Sequence, residues 1–495
     1  MRTPGYPLGR EMPARPGGEF MRVLFIVPPE THSIESSVPP ALEAGKGVYP
    51  KLGLLYVAAH LERATGLRPR VIDCPAEGLG EAELAARLRA EPVDLVGISA
   101  LTFNLIDCWR VARLVKRIRP EALVCLGGQH VTLYPRETLG LEGVDFVIHG
   151  EGERSFTRLV EVLRAGARPE ELARIRGLGF RRGEELFVHP EQDRIEDLDA
   201  LPHPARHLID LDRYDHVAAA GRRMATVQTS RGCPARCLFC DIRRTAFRKR
   251  SPEDVLRELR DLADRGVDDV FFVDDTITID RQRLFELCEL VRRSGVPLRF
   301  KISARVDTVT PRLLEALRRA GCYRIHYGVE SASPRLLRYL QKQTTPERIA
   351  EAFRWTHEAG IGTFAYCMIG IPTETRAEAL NTVDFAIALD PDFAQFSICT
   401  PYPRTALYES MRTLGHVPGD PWRSFAKRPD PSFRVRFWNP AFSEEELRAL
   451  QAEAHRRFYS RPRAVARRAA SVRSWRDLRA KARLGAKILL GRLSG

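Results

Sequence analysis

Three cysteines with a metal-binding spacing stand in the middle of the chain. Cys233, Cys237 and Cys240 follow the pattern C-x3-C-x2-C after a short β-like run, on a loop that Gly232 and Pro234 open. The thiolate is the metal-binding form of cysteine, and iron–sulfur clusters are typically held by cysteine thiolates, usually four. The spacing therefore indicates a cluster with one iron left without a protein ligand. A zinc site completed from elsewhere, or three buried thiols without a metal, are the alternatives.

The motif also has Phe239 before its last cysteine, and in this form it resembles the signature of the radical S-adenosylmethionine (SAM) enzymes. The resemblance implies a 4Fe–4S cluster held by Cys233, Cys237 and Cys240, with SAM on the open iron. It also implies reductive cleavage of SAM to a 5′-deoxyadenosyl radical, and hence a low-potential electron donor such as flavodoxin or ferredoxin.

The overall composition sets the scale of the protein. A chain of 495 residues exceeds what one hydrophobic core usually organises, which predicts two or three domains. Its ten cysteines are spread along the chain, and this favours a reducing cytoplasm. No apolar run approaches the ~18 residues of a membrane span, and the amino terminus lacks a signal-peptide core. Residues 1–20 are rich in Pro, Gly and Arg, which predicts a disordered extension or a biological start at Met21.

The formal net charge of +14 is concentrated at the carboxyl end. From His455 onward, 13 Lys and Arg stand against Asp477 alone, so the body of the protein is nearly neutral. We therefore expect no nucleic acid partner. The basic tail could contact an anionic membrane surface peripherally or cover the core as a solvated helix, and we favour the helix.

Strand-like and helix-like patterns alternate through residues 21–165, which predicts an α/β fold with a doubly wound parallel sheet. Ligands of such sheets bind at the carboxyl ends of the strands. The predicted strands are Val23–Val27, Arg70–Asp73, Leu95–Ser99, Ala122–Leu126 and Asp145–Ile148, and the predicted helices are Leu52–Thr65, Glu81–Ala90, Ile106–Ile118 and Ser155–Leu163.

The loops at these strand ends resemble those of the Rossmann-like cobalamin-binding domain. A Ser-x-Leu element follows the third predicted strand and a Gly-Gly element the fourth, at about the separation seen around the nucleotide tail in that family. Taken singly, a Gly-Gly pair is a turn and the serine a strand-end hydroxyl. The resemblance implies that cobalamin is bound by Ser99, Leu101, Gly127, Gly128 and, after the fifth strand, Glu151.

One element of many cobalamin carriers is missing. Aligning the motif Asp-x-His-x-x-Gly on Gly53 places Val48 and Pro50 at the positions of Asp and His, and neither can ligate cobalt. The departure implies cobalamin without a histidine lower ligand from this motif, as in cobalamin-dependent radical SAM enzymes. His32 and His60 are out of register, and we predict surface histidines there.

Residues 166–223 are predicted to be a linker with a hairpin across Gly183, and the domain boundary is placed near 200–224. Strand and helix alternation then restarts and predicts a partial (β/α)6 barrel over residues 224–415. A helical region, opened by a capping box at Ser443 to Glu446, follows over residues 416–495. The barrel strands are predicted at Ala225–Thr229, Asp269–Val273, Leu298–Ile302, Tyr323–Val329, Gly362–Ile369 and Phe393–Cys399, with helices from Pro252, Arg281, Pro311, Pro334 or Pro346, and Arg376.

The later strand ends also resemble the radical SAM pattern, which implies that their loops bind SAM. Charge complementarity favours an acid for the ammonium of SAM and a guanidinium for its carboxylate. Helix capping at Asp275 and Glu374, and a surface ion pair at Arg305, are the alternatives. The resemblance implies contacts of Asp274 with the amino group, Arg305 with the carboxylate, Glu330 and Ser331 with the ribose region, and the Ile369–Gly370 backbone with the adenine.

A catalytic residue is predicted from strand alternation. If Glu330 points into the barrel, the two-residue period places His326 on the same face. Our hypothesis is that His326 accepts a proton during the reaction. A buried histidine satisfied by its neighbours is the alternative.

The whole pattern over roughly residues 21–460 resembles a cobalamin-dependent radical SAM enzyme. This implies methylation of an unactivated carbon of a small-molecule, lipid or natural-product substrate. A radical cyclase or oxidoreductase of the anaerobic tetrapyrrole type joins the same two domains and is the main alternative. A tRNA-modifying radical SAM enzyme and a non-catalytic corrinoid-binding protein account for fewer of the motifs.

Overall fold

The computed structural model describes residues 21–34, 48–214 and 223–462, which fall into two compact units. The described part of the first unit lies within Met1–Ile34, Pro50–Arg213 and Asp420–Arg434. That of the second lies within Glu35–Tyr49, Tyr214–Gly419 and Val435–Gly495. The predictions for residues 1–20 and for the basic tail from 463 on fall outside the described residues.

A seven-stranded sheet organises the first unit, in the order β2-β1-β3-β4-β5-β6-β7. The first five strands are parallel, whereas β6 and β7 form an antiparallel hairpin added to β5. The predicted doubly wound sheet is thereby confirmed. The strands are β1 (Val23–Val27), β2 (Arg70–Asp73), β3 (Leu95–Ser99), β4 (Leu123–Gly127), β5 (Phe146–Ile148), β6 (Leu178–Arg182) and β7 (Glu185–Val188).

Helices cover this sheet and bury its apolar strands. All five residues of β1 are buried, as expected for a parallel strand covered on both faces. The rings of Phe25 and Phe156 meet at 5.0 Å between strand and helix. The helices are α1 (Leu52–Thr65), α2 (Cys74–Glu77), α3 (Glu81–Ala90), α4 (Leu105–Ile118), α5 (Gln129–Leu133), α6 (Pro135–Leu139), α7 (Glu153–Arg164) and α8 (Pro169–Leu172).

The first unit extends further along the chain than predicted, into the segment 166–223 that the sequence predicts to be a linker. Residues up to Arg213 belong to the first unit, because the hairpin pairs with β5 and buries Leu178 and Phe180 in the same core. The hairpin itself was predicted, but its pairing with β5 rests on contacts between segments that the local pattern does not contain.

A second segment returns to the first unit from far along the chain. Helix α16 (Pro421–Lys427) packs on α6, and Arg423 forms an ion pair with Glu137 at 3.1 Å. Trp422 is fully buried, with Phe433 5.3 Å from its ring. The first unit is therefore discontinuous in sequence.

Six parallel strands form the main sheet of the second unit, in the order β15-β14-β13-β12-β11-β8. Because β8 and β15 are edge strands, the sheet is open, and the predicted partial barrel is confirmed. A two-stranded ladder pairs β9 (Ser230–Arg231) with β10 (Arg248–Lys249). The main strands are β8 (Met224–Val227), β11 (Asp269–Phe272), β12 (Arg299–Ala304), β13 (Cys322–Glu330), β14 (Gly362–Ile369) and β15 (Phe393–Ile398).

Capping signals in the sequence set the starts of the helices in this unit. Ser251, Thr310, Ser333 and Thr345 each accept a hydrogen bond from the third residue of the helix that follows, and a proline occupies each first helical position. The capping box at Ser443 is confirmed. The helices are α9 (Pro252–Asp264), α10 (Arg281–Ser294), α11 (Pro311–Arg319), α12 (Pro334–Tyr339), α13 (Pro346–Glu358), α14 (Arg376–Ala388), α15 (Ala406–Thr413) and α17 (Glu444–Tyr459).

The two faces of the second sheet differ in exposure. Along β14 and β15 buried residues alternate strictly with half-buried ones. The buried set faces the helices, so along these two strands the other face keeps access to solvent and offers a surface to a ligand. We call this side the inner face, and it carries Phe271, Lys301, Ser303, Arg324, His326, Phe364, Tyr366, Met368, Gln395 and Ser397.

Among the residues that the structure describes, no helix combines the length and the apolar character needed to cross a membrane.

Candidate functional site

The cysteine loop follows β8 and is closed at its base by the β9–β10 ladder, so that residues 232–247 form the loop. Gly232 turns the chain with a φ of 91°, and a Cβ there would overlap the carbonyl of Ala246. Only glycine fits this turn. The backbone N–H of Cys233 donates to the Thr245 hydroxyl at 2.8 Å, which fixes the first thiol to the end of the loop.

The three cysteines of the loop have free thiols in a mostly buried setting. Cys233 and Cys237 are buried and Cys240 is partly buried, and all three are free. Burial raises the pKa of Cys240 to about 11, with smaller contributions from Asp241, Cys237 and Cys233. Within the described residues, no three Cys, His, Asp or Glu side chains are arranged to hold one metal ion. A structural zinc site needs that arrangement, whereas each thiolate of an iron–sulfur cluster can bind a different iron.

Two carboxylates after β11 hold the start of the cysteine loop. Asp274 Oδ1 accepts from the backbone N–H and hydroxyl of Thr229 at 3.1 and 2.8 Å and from the Ser230 hydroxyl at 2.5 Å. Asp275 accepts from the N–H of Gly232 at 2.9 Å. Asp274 Oδ2 is buried without a hydrogen bond to any described residue, and burial raises the pKa of this carboxyl. This second oxygen is the one suited to the predicted SAM ammonium.

Arg305, just beyond β12, reaches the same loop. Its guanidinium donates to Cys237 Sγ at 3.4 Å and to the Lys342 carbonyl at 2.6 Å. It also forms a two-pronged ion pair with Asp307 at 2.8 and 2.9 Å. Arg305 is buried, so the surface ion pair considered from the sequence is wrong. The contact connects Arg305 to one of the three thiols predicted to hold the cluster.

A buried ion pair stands at the carboxyl end of β13. Lys342 Nζ donates to Glu330 Oε1 at 2.7 Å, and both side chains are buried. Glu330 has a φ of 64°, which is uncommon outside glycine and is found at functional sites. Removing one partner of such a pair typically costs about 3–5 kcal/mol, because the other charge stays buried. The predicted ribose contact of Glu330 therefore has to coexist with Lys342.

Ser331 has partners that point to a structural role. Its side chain is fully buried, and its hydroxyl lies 3.2 Å from that of Thr382 while accepting the N–H of Ser333 at 3.1 Å. These bonds connect the end of β13 to α14 and to the start of α12. The predicted contact of Ser331 with the ribose region of SAM stays a prediction, beside this packing role.

The backbone predicted to contact adenine lies in a loop fixed by Glu374. Gly370 and Ile371 donate their N–H groups to Glu374 Oε2 at 2.5 and 3.2 Å. Ile369 accepts the N–H of Cys399 at 2.8 Å. Burial raises the pKa of Glu374 to about 7, although both backbone bonds oppose the shift. Glu374 thus orders this loop rather than capping α14, where Thr375 is the cap.

His326 lies on the inner face within a row of aromatic rings, whereas a register shift between Gly328 and Glu330 interrupts the strict alternation on which its prediction rests. Its Nδ1 is 3.1 Å from the Tyr366 hydroxyl. Its ring stacks on Phe364 with centroids 4.8 Å apart and lies 5.4 Å from Phe271. Tyr49, from the segment before α1, contacts Phe271 at 6.1 Å. Its role as a proton acceptor stays a hypothesis.

In the first unit, the predicted cobalamin residues meet at the carboxyl ends of β3 and β4. Ser99 pairs in register with Gly127. Gly128 has a φ of 98°, and a Cβ there would lie 2.8 Å from the Ala100 carbonyl and 3.1 Å from Ser99 Oγ. Leu101 is 39% exposed, which is unusual for a leucine. An exposed apolar side chain next to a tight glycine turn is a suitable surface for a flat organic ligand.

The other candidate residues of the first unit make hydrogen bonds within the chain. Glu151 accepts the N–H of Ile195 at 2.7 Å and so fixes the chain after the hairpin. His32 lies 3.0 Å from Asp107, and His60 lies 2.8 Å from the Thr157 hydroxyl. Both histidines are partly exposed, and each is held by a hydrogen-bond partner within the chain.

Sequence reasoning missed residues that loops or distant segments bring to the second site. Lys342 lies between Gln341 and Gln343, both with positive φ, and no sequence signal marks it. Tyr49 and Tyr366 reach the inner face from different parts of the chain. The pairing of β13 with β14 brings Tyr366 to His326, and only the fold brings Tyr49 to Phe271.

Known proteins share this combination of domains. The Radical SAM superfamily model matches residues 227–386, and the B12 binding domain model matches residues 40–160. An uncharacterized methyltransferase of Pyrococcus horikoshii is 32% identical over 453 residues, covering 90% of this chain and 94% of that protein. The chain belongs to the radical SAM superfamily and carries a B12-binding domain. Its cofactors are accordingly a 4Fe–4S cluster, SAM and cobalamin.

Two further comparisons extend the relationship. The anaerobic magnesium-protoporphyrin IX monomethyl ester cyclase of Cereibacter sphaeroides is 30% identical, over 79% of this chain and 64% of that protein. A solved structure of OxsB, a cobalamin-dependent SAM radical enzyme with aqua-cobalamin bound, aligns with a TM-score of 0.73 at 16% identity, covering 96% of this chain and 72% of that one. The radical SAM fold with its B12-binding domain thus extends over nearly the whole chain.

Proposed function

We propose that this radical SAM enzyme transfers a methyl group to an unactivated carbon of a small organic substrate. The observation that carries the proposal is the inner face of the second sheet, half-exposed along β14 and β15, which accompanies the cysteine loop in a chain that also has a cobalamin domain. The similarity to the Pyrococcus horikoshii protein described as a methyltransferase supports this reaction type.

The chain's own residues hold the groups in place. Cys233, Cys237 and Cys240 bind the cluster, and Asp274 and Arg305 suit the ammonium and carboxylate of SAM by charge. With its cofactors bound, the enzyme has a source of carbon radicals and a methyl carrier. The protein supplies positions and excludes water around them.

His326 is proposed to accept a proton on the inner face. Its Nδ1 contacts the Tyr366 hydroxyl, so that bond fixes the ring and directs Nε2 to other partners. The stacked Phe364 ring limits the rotation of the imidazole. Cobalt is proposed to lack a histidine from the usual motif, because Val48 and Pro50 occupy the aligned positions.

Partners and location are also proposals. A flavodoxin or ferredoxin would supply the low-potential electron, and the exposed cations of the cysteine loop, Arg236 and Arg244, suit an acidic donor. We propose a cytoplasmic enzyme, and the basic tail would allow peripheral contact with an anionic membrane.

A second candidate is a radical cyclase or oxidoreductase, favoured by the similarity to the Cereibacter sphaeroides cyclase. The two functions differ in how SAM is used. Methyl transfer consumes one SAM as methyl donor and a second as radical source, whereas cyclisation uses only the second.

Product analysis after anaerobic reconstitution distinguishes them. With cluster, cobalamin, reductant and SAM, methyl transfer yields S-adenosylhomocysteine together with 5′-deoxyadenosine. Formation of 5′-deoxyadenosine alone would support the cyclase, and absence of both products under reducing conditions would overturn the enzyme assignment.

A further inference from the structure

Lys301 is a buried cation on the inner face. It lies on β12, in register with Phe271 on one side and Arg324 on the other. Its side chain is fully buried, and its ammonium makes no hydrogen bond to any described residue. A buried charge is normally paired or hydrogen-bonded, because removing it from water is costly.

The surroundings of Lys301 compensate its charge only in part. The ammonium lies 5.0 Å from the centroid of the Phe271 ring, a weak attraction compared with loss of hydration. Asp269 favours the charged form, but both its oxygens accept the Tyr323 hydroxyl at 3.1 Å. Arg324 adds a like charge. Burial accordingly lowers the pKa of Lys301 to about 8.

The position of Lys301 suits a ligand that enters along the inner face. Ser303, two residues nearer the cofactor end of β12, is half-buried. Phe271 connects Lys301 to the rings of Tyr49 and His326 at 6.1 and 5.4 Å. A cation beside aromatic rings matches a molecule with an apolar body and one acidic end.

We propose that the inner face binds a substrate with a carboxylate or phosphate group that pairs with Lys301, while Phe271, Tyr49 and His326 contact its apolar part. This inference rests on the proposed function, because it names the substrate class of the same site. A site of this kind binds anionic organic molecules in preference to neutral lipids.

Equilibrium dialysis of the reconstituted holoenzyme tests this without turnover, using labelled benzoate, phenyl phosphate and benzamide. We expect saturable binding of one or both acids and at least tenfold weaker binding of neutral benzamide. Preference for benzoate or for phenyl phosphate identifies the acidic group as carboxylate or phosphate. Equal affinity for benzamide and the acids, or no saturable binding of either acid, would overturn the proposal.

Variants locate the binding. Lys301→Met keeps the volume and removes the charge, so we expect at least a tenfold loss of acid binding with a Tm equal to or above that of the wild type. Lys301→Arg should retain binding within a few fold. Lys116→Met, which removes a lysine paired with Asp145 in the first unit, is the matched control. Undiminished acid binding by Lys301→Met would contradict the proposal, and failure of methyl transfer would leave these binding results interpretable.

Discussion

Single side chains around the cysteine loop hold one another in place. Asp274 binds the start of the loop through one oxygen, and Arg305 binds both Cys237 and Asp307. Substituting Asp274 or Arg305 would therefore change loop geometry and ligand binding together. The thiols are different, because their side chains have few partners in the protein and their loss removes the cluster directly.

Replacing Cys233, Cys237 and Cys240 together with Ala should abolish 5′-deoxyadenosine formation and iron binding. Cobalamin should stay bound, since its predicted residues lie in the first unit. Iron content, cobalamin absorbance and SAM cleavage measure the three effects. Cys288→Ala, a buried cysteine on α10, should change none of them. Continued formation of 5′-deoxyadenosine by the triple variant would refute the cluster assignment.

His326→Gln tests the proton acceptor. Gln can keep a hydrogen bond to Tyr366 but does not titrate near neutral pH. We expect SAM binding and cleavage to persist while methylated product falls at least tenfold. Tyr366→Phe, which removes only the partner hydroxyl, should have a smaller effect. Normal product formation by His326→Gln would remove this residue from the mechanism.

The raised pKa of Glu374 should make the stability of the fold depend on pH. Its folded pKa of about 7 lies above the ordinary value of 4.5, so the folded state holds the proton more tightly. Stability is therefore lost as the pH rises from about 4.5 to 7, by an amount on the order of 3 kcal/mol. Glu374→Gln stays neutral and can still accept both backbone bonds. We expect a higher Tm than wild type at pH 8 and a similar Tm at pH 5.

Glu378 provides a control of opposite sign. Arg335 lowers the pKa of Glu378 to about 2, so its charged form stabilises the fold above its ordinary pKa. Glu378→Gln should lower the Tm at pH 8, and that difference should shrink toward acidic pH. Identical responses of the two variants would contradict the assignment of Glu374.

Among helices and strands, the sequence predicted where each one lies along the chain, but not which of them pair with one another. The six barrel strands and the helix starts after Ser251 and Thr310 follow from apolar runs and local capping signals. The attachment of the β6–β7 hairpin to β5 does not, because pairing is decided between segments. Lys342 was missed for the same reason, since a loop residue carries no period.

The glycine turn after β4 gives a prediction of its own. Gly128→Ala places a methyl group against the Ala100 carbonyl in a left-handed backbone, so we expect loss of cobalamin binding by at least tenfold. Gly183→Ala meets no atom within 4 Å at a φ of 64° and should cost only about 1–2 kcal/mol. Cobalamin retention after gel filtration compares the two. Equal retention would show that the Gly127–Gly128 turn does not form the site.

At the scale of the whole molecule, the first unit depends on residues beyond the barrel in sequence. Trp422→Ala empties a fully buried site there and should cost about 3–5 kcal/mol. We expect faster proteolysis within residues 50–213, measured by mass spectrometry of limited digests. Trp355→Ala, at a partly buried site in the second unit, should leave that region protected. Unchanged cleavage in the first unit for Trp422→Ala would contradict the assignment of residues 420–434 to that unit.

The return of residues 420–434 to the first unit constrains the order of events during synthesis. A ribosome adding 5–20 residues per second needs roughly 10–40 s to travel from Arg213 to Asp420. During that interval the nascent first unit lacks α16, and the surface of α6 that receives it stays uncovered. The second sheet is completed before that gap is filled. Slow translation between Arg213 and Asp420 would lengthen the time for which this surface of α6 is exposed. Rapid elongation would shorten that time, and a chaperone bound to the surface would protect it.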